Sequence, residues 1–322
     1  MQMFVKGTSA ALAVTLLAGC AARGPRAAQP QSPSADVKAA APPAVNSLSE
    51  FMQKVRHLSA TARPLSAKDA AETLEARDPA LAADLLLVLS APSAERHHAI
   101  AERYRDLGIL DAAYRHFNSA LALKPRDAAA YEGLARVWRD WGLPELALGD
   151  AHRATFFAPQ SASARNTYGT VMQALGSFRH ARAAYELASW LDPRAAYAVN
   201  NLCYLAFVTG RIDDAIDRCH AALRLDPSLA AARNNLALAF AASGRMDLAR
   251  TQFLDAGDRA SGLYNAGIAY LASGDERNAL AAFDAASKAR PTFNISRERA
   301  ALIRARLGLA AAAARRDSPL GH

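Results

Sequence analysis

The stretch RNNLALAFAASGR (residues 233–245) has a near-copy upstream, VNNLCYLAFVTGR (residues 199–211). In both, two asparagines precede an apolar run and a glycine closes the segment. Asn200 and Asn234 lie 34 positions apart. Asparagine is a mediocre helix former, because its amide competes for nearby backbone groups. A helical segment that carries two together, twice, needs either an architectural or a functional reason.

The interval recurs. Gly108, Gly142, Gly176, Gly210 and Gly244 are spaced by 34, and so are Pro125, Pro159, Pro193 and Pro227. Between them the apolar residues follow helical spacing. The first unit reads Ile100, Ala101, Tyr104, Gly108, Ala113, Phe117, Ala120 and Pro125. The third reads Tyr168, Gly169, Met172, Gly176, Ala181, Tyr185, Ala188 and Pro193. Each unit is expected to hold two amphipathic helices joined near the glycine. The proline ends the second, since it lacks an N–H and disfavours helix just before it. No unit can bury its apolar face alone, so the units stack. A sixth unit (Gly267, Tyr270, Gly274, Ala279, Phe283, Ala286, Pro291) follows at a shortened step, with 30 residues from Gly244 to Gly274. The segment LDAGDRASGLYNAG (residues 254–267) is therefore the expected irregular joint.

This pattern is similar to the tetratricopeptide repeat (TPR), W-x2-L-G-x2-Y, then A-x3-F, then P. The resemblance implies an all-α TPR solenoid of about six helix-turn-helix repeats over residues 94–293, divided at 94–127, 128–161, 162–195, 196–229, 230–259 and 260–293. It is weakest in the second unit, where Ala151 replaces the aromatic. The fourth unit departs too, with Cys203 and Cys219 in place of the usual small and aromatic residues. Residues 47–93 carry helical pattern and are expected to form an N-terminal cap, including the run Leu81–Leu89. Residues 294–322 are expected to form a C-terminal capping helix and tail.

The chain opens MQMFVKGTSAALAVTLLAGC. A charged start at Lys6 and an apolar run too short to span a bilayer mark residues 1–19 as a signal peptide. The LAGC ending resembles the lipobox of bacterial lipoproteins, which implies that Cys20 is the cleavage point and takes the lipid. With two or more acyl chains such an anchor is stable. Ala21, rather than aspartate, follows the cysteine, and by the sorting rules of that family this implies the periplasmic face of the outer membrane. Residues 20–46 are rich in Ala, Pro, Ser and Gln and form a tether that cannot bury enough surface to offset its ordering entropy.

In TPR arrays the first helix of each unit lines the inner surface. The resemblance therefore implies a peptide-binding groove carrying Thr167, Asn201, Asn235 and Asn265, flanked by Asn166, Asn200, Asn234 and Tyr264. A side-chain amide offers donor and acceptor together and can pair with a peptide group of an extended chain. The other reading is that these amides bond between adjacent helices. The earlier groove positions (His98, Glu102, Arg105, Glu132, Arg136, Arg139) are charged, so a neutral and an ionic half are expected. Cys203 and Cys219 are the cysteines left once Cys20 is acylated. They face each other across a TPR hairpin, either as a disulfide in an oxidising compartment or as two buried thiols.

The composition is that of a folded chain, 52% hydrophobic and 21% charged, with a formal net charge of +8. Its arginines are spread along the sequence, without the basic block of a nucleic-acid arm. The histidines show no metal-ligand spacing, and the sequence has no nucleophile elbow and no phosphate loop. Neither catalysis, metal nor cofactor is expected, and the implied partners are proteins. Among TPR families the chain is similar to the TPR lipoproteins of tight-adherence (Flp-type) pilus assembly. These share the lipobox, the Pro-rich tether and an array ending in a unit like Tyr264-Asn265-Ala266-Gly267. That implies a lipid-anchored interaction scaffold for a pilus or secretion apparatus. A type IV pilus secretin pilotin, or an adaptor of an envelope protease or peptidoglycan enzyme, are the alternatives.

Overall fold

A computed structural model describes residues 79–308. The expectations for the signal segment, Cys20, the tether, residues 47–78 and residues 309–322 lie outside the described residues. Within them the chain forms fourteen helices and no strand. A first helix, α1 (Pro79–Ser90), precedes six helical hairpins. These are α2 (Ala94–Asp106) with α3 (Leu110–Leu123), α4 (Ala128–Asp140) with α5 (Pro144–Phe157), and α6 (Ala162–Ala174) with α7 (Phe178–Leu191). They continue with α8 (Ala196–Val208) and α9 (Ile212–Leu225), α10 (Ala230–Ala242) and α11 (Met246–Asp255), and α12 (Arg259–Ala272) and α13 (Glu276–Ala289). A last helix, α14 (Asn294–Arg306), follows. The result is an all-α TPR solenoid.

Local chemistry sets the boundaries. Ser93, Asp127, Ser161 and Asp258 cap α2, α4, α6 and α12, each accepting a bond from an N–H of the first turn. At the other end of α2, the Gly108 N–H bonds the Arg105 carbonyl at 2.9 Å and the Ile109 N–H bonds the Tyr104 carbonyl at 2.8 Å. This closure needs a left-handed residue, and Gly108 has φ +76°. The periodic glycines share that conformation.

The first helices of neighbouring units touch one another, whereas their second helices do so little. First helices therefore form an inner layer and second helices an outer one. Within a unit, two positions sixteen residues apart set how closely the layers approach. A methyl on Gly169 would lie 2.6 Å from the Tyr185 ring, and one on Gly267 would lie 2.7 Å from the Phe283 ring. In the fourth unit the same two positions hold Cys203 and Cys219, which form a disulfide with Cα atoms 5.2 Å apart. The bond stands where other units place glycine against a ring.

The irregular joint has a definite cause. Helix α11 has 10 residues, against 14 in the other second helices of the hairpins. The early end brings α12 down onto the α11 backbone, and a methyl on Gly262 would lie 2.5 Å from the Phe253 carbonyl oxygen. At the C-terminal end, α14 bonds back to α13 through Arg304–Asp284 and through Arg306–Glu276 at 2.9 Å. It closes on Gly308, with φ +69°, 34 residues after Gly274. So α14 has the form of the first helix of a seventh unit. At the N-terminal end, α1 buries Leu81 and Val88 in the core of the first unit.

Candidate functional site

The inner layer holds the residues that the sequence singled out, and successive first helices are tied by a regular set of side-chain bonds. The Asn201 amide donates to Asn166 Oδ1 at 2.7 Å, Asn235 to Asn200 at 2.8 Å, and Asn265 to Asn234 at 3.4 Å. The Thr167 hydroxyl continues the series by donating to Glu132 at 3.0 Å. Each bond runs from one unit back to the preceding one, 35 residues earlier, or 31 across the shortened joint. The amides therefore spend part of their capacity on one another, which is the architectural reason for the doubled asparagines. Each such bond contributes about 0.5–1.5 kcal/mol.

The seven residues are not equally accessible. Asn200 and Asn235 are 7% and 3% exposed, whereas Asn166, Asn201, Asn234, Tyr264 and Asn265 are half-buried. The Asn235 Oδ1 is buried without a hydrogen-bond partner among the described residues. Tyr264 packs between Phe283 and Phe293, with ring centroids at 5.4 and 5.2 Å. Burial raises its pKa, against the opposing pull of Arg299.

The charged end is knit by ions. Arg136 donates to Glu102 at 2.6 Å, Arg105 lies 3.3 Å from Asp140, and Arg139 reaches Thr170 at 2.8 Å. Burial works against the Arg105 charge, but Glu102, Asp140 and Asp106 outweigh it and raise the pKa. Glu132, buried, also accepts from Ser163 at 2.6 Å and lies 3.8 Å from Arg136, so it links the ionic half to Ser163 and Thr167 of the third unit. His98 edges onto Phe117, with centroids at 5.4 Å, and stands 4.0 Å from Glu102.

Sequence reading missed the lining of the other half. One inner position, followed through the units, reads Glu102, Arg136, Thr170, Tyr204, Leu238, Ile268, Leu302. The next inner position reads Arg105, Arg139, Gln173, Phe207, Ala241, Leu271, Ala305. Tyr204, Phe207, Leu238 and Ile268 belong to the largest core cluster, with Val208, Ala242 and Leu271 packed against it. The inner layer thus passes from ionic through amide to apolar. The trend is present in the sequence at the repeat interval.

His97 and His116 meet at 3.0 Å between their Nδ1 atoms. Burial, and then the neighbouring His97 and Arg115, pulls the His116 pKa down from 6.5 to about 4, so that ring is neutral at neutral pH. Among the described residues no three His, Cys, Asp or Glu side chains are grouped to hold a metal, and no helix is long and apolar enough to cross a membrane.

No protein-family model and no curated protein sequence matches the chain. Solved structures do match in fold. A TPR protein from Parabacteroides merdae has a TM-score of 0.54 at 16% identity, over 80% of this chain and 99% of that one. PilW, described as a type IV pilus biogenesis factor, has a TM-score of 0.53 at 18% identity, over 64% of this chain and 97% of that one. The Cut9–Hcn1 complex of the APC/C gives 0.58 at 18% identity over 80% of this chain, which spans only 53% of that chain. At these identities the likeness is one of fold: the described chain is built as the TPR proteins are.

Proposed function

We propose that this protein is a non-enzymatic scaffold of the bacterial cell envelope, held by lipid on Cys20 at the periplasmic face of the outer membrane. Its inner layer binds an extended segment of a protein partner, and the partner belongs to a pilus or secretion apparatus. The observation that carries the reading is the continuous inner face, where half-buried amides adjoin an apolar lining. Asn166, Asn201, Asn234 and Asn265 each keep donor or acceptor capacity beyond the bond between units. Asn200 and Asn235 are left out of the proposed contact set, because burial and pairing commit them to the array. Beside the amides, the partly buried Val208 and Leu271 favour apolar side chains on the bound segment. The lipobox and tether support the envelope setting, and the fold shared with PilW supports pilus assembly by analogy only.

Two measurements test this. Replacing Asn201, Asn234 and Asn265 together by alanine should abolish capture of the partner, while helicity stays unchanged and stability falls by no more than about 1–3 kcal/mol. Capture that survives the triple change would confine these residues to architecture. Separately, Cys20→Ser should leave the protein unprocessed or released from membranes after a high-salt wash. Continued processing and membrane retention would defeat the lipoprotein assignment.

A further inference from the structure

Phe156 and Trp190 occupy the same place, 34 residues apart, in the last turns of α5 and α7. They are 77% and 74% exposed. Both lie in the outer layer, on the edge where a second helix hands over to the next unit. Phe156 meets Phe157 edge-on at 5.2 Å, and the Trp190 indole N–H makes no hydrogen bond among the described residues. Exposed large apolar groups are costly unless something covers them, and two aligned aromatics on one edge mark an interaction surface.

The charges beside them indicate what covers it. Arg126 and Arg194 lie exposed at the turns of this edge and form no ion pair among the described residues, whereas Arg165, in the first turn of α6, donates to the Pro159 carbonyl at 3.3 Å. Asp192 is the unpaired carboxylate among them, and it is occupied in its turn by the Arg194 N–H at 2.9 Å. Lys124 is only loosely held, at 3.8 Å from Asp127 and 3.9 Å from Glu95. Aromatic rings at headgroup level with arginines facing phosphate are the side-chain set that suits an anionic bilayer surface.

We infer that this edge docks on anionic lipid. Phe156 and Trp190 enter the interface between headgroups and acyl chains, and Arg126 and Arg194 face the phosphates. A lipid on Cys20 restricts distance from the membrane, whereas this edge sets orientation, and the two are independent.

The test uses the chain from Ala21 to His322, without Cys20 and its lipid, so that the anchor plays no part. Co-sedimentation is measured with vesicles of phosphatidylglycerol mixed into phosphatidylcholine, and with phosphatidylcholine alone. Binding is expected on the mixed vesicles, with a blue shift of tryptophan emission. Phe156→Ser with Trp190→Ser should weaken it by about tenfold or more. Arg126→Ala with Arg194→Ala should weaken it on the mixed vesicles alone. Circular dichroism of both variants should match the parent, as exposed positions predict. No sedimentation with either vesicle, equal binding to both, or binding indifferent to both pairs of substitutions would overturn the inference.

Discussion

Reduction of the Cys203–Cys219 bond is expected to lower the stability of the fourth unit by about 3 kcal/mol, the chain-entropy value for a loop of roughly 15 residues. Both sulfurs are fully buried, and the sequence separation is 16. The size of the effect depends on what the bond replaces. At these two positions the third and sixth units set glycine against an aromatic ring, and the ring itself fills the gap between helices. Two thiols fill far less volume than a tyrosine, so once the covalent link is gone the fourth unit has no ring to fall back on. Urea melts of the protein with and without a phosphine reductant should separate by that amount, and Cys203→Ala with Cys219→Ala should track the reduced curve. Two maleimide-reactive thiols in the unreduced, denatured protein would show that the bond does not form. A disulfide of this kind persists in oxidising compartments and not in a reducing cytosol. The proposed export and the proposed stabilisation therefore reinforce each other without depending on the same residue.

The repeat was legible because its signals are backbone constraints. A glycine closing each first helix imposes a left-handed turn, and a proline after each second helix stops it, whatever the neighbours are. The layered fold follows from those two residues and the apolar spacing between them. The end of the array was read less well. Gly308 stands 34 residues after Gly274, yet one glycine without a proline at the repeat offset beyond it carries little weight until α14 is seen to stop on it. The asparagines show a different limit. Their shared face could be read from the sequence, but their partners could not. An amide at one position bonds the amide one position earlier in the preceding unit, and that offset depends on how far one first helix slides along the next. The doubled asparagine records the offset: one member of each pair reaches back, and the other receives from the unit ahead.

Tyr185→Ala is expected to be the most damaging single substitution in the third unit, at about 3–5 kcal/mol, the range for losing a fully buried ring. The ring lies against Gly169, and its hydroxyl donates to Gln173 Oε1 at 3.1 Å, so the change also strands a buried acceptor. Tyr185→Phe isolates that second part and should cost about 1–3 kcal/mol. The sharper consequence concerns Gly169. By itself Gly169→Ala should destabilise, because its methyl would meet the ring at 2.6 Å, even though alanine is intrinsically the better helix former by about 1 kcal/mol. In the Tyr185→Ala background the ring is gone and only the Ala184 Cβ, at 3.2 Å, has to give slightly as the methyl enters the vacated space, so Gly169→Ala should become stabilising. The second unit already shows that arrangement: Ala135 and Ala151 occupy these positions, and Trp138, Leu148 and Val171 pack around them. A solenoid confines such effects to neighbouring units, so hydrogen-exchange protection should fall in α4 to α9 and hold in α12 to α14. The decisive quantity is the sign of the Gly169→Ala effect in the two backgrounds. An unchanged sign would mean that the layers are not spaced by the ring, and that the glycine and the tyrosine contribute separately.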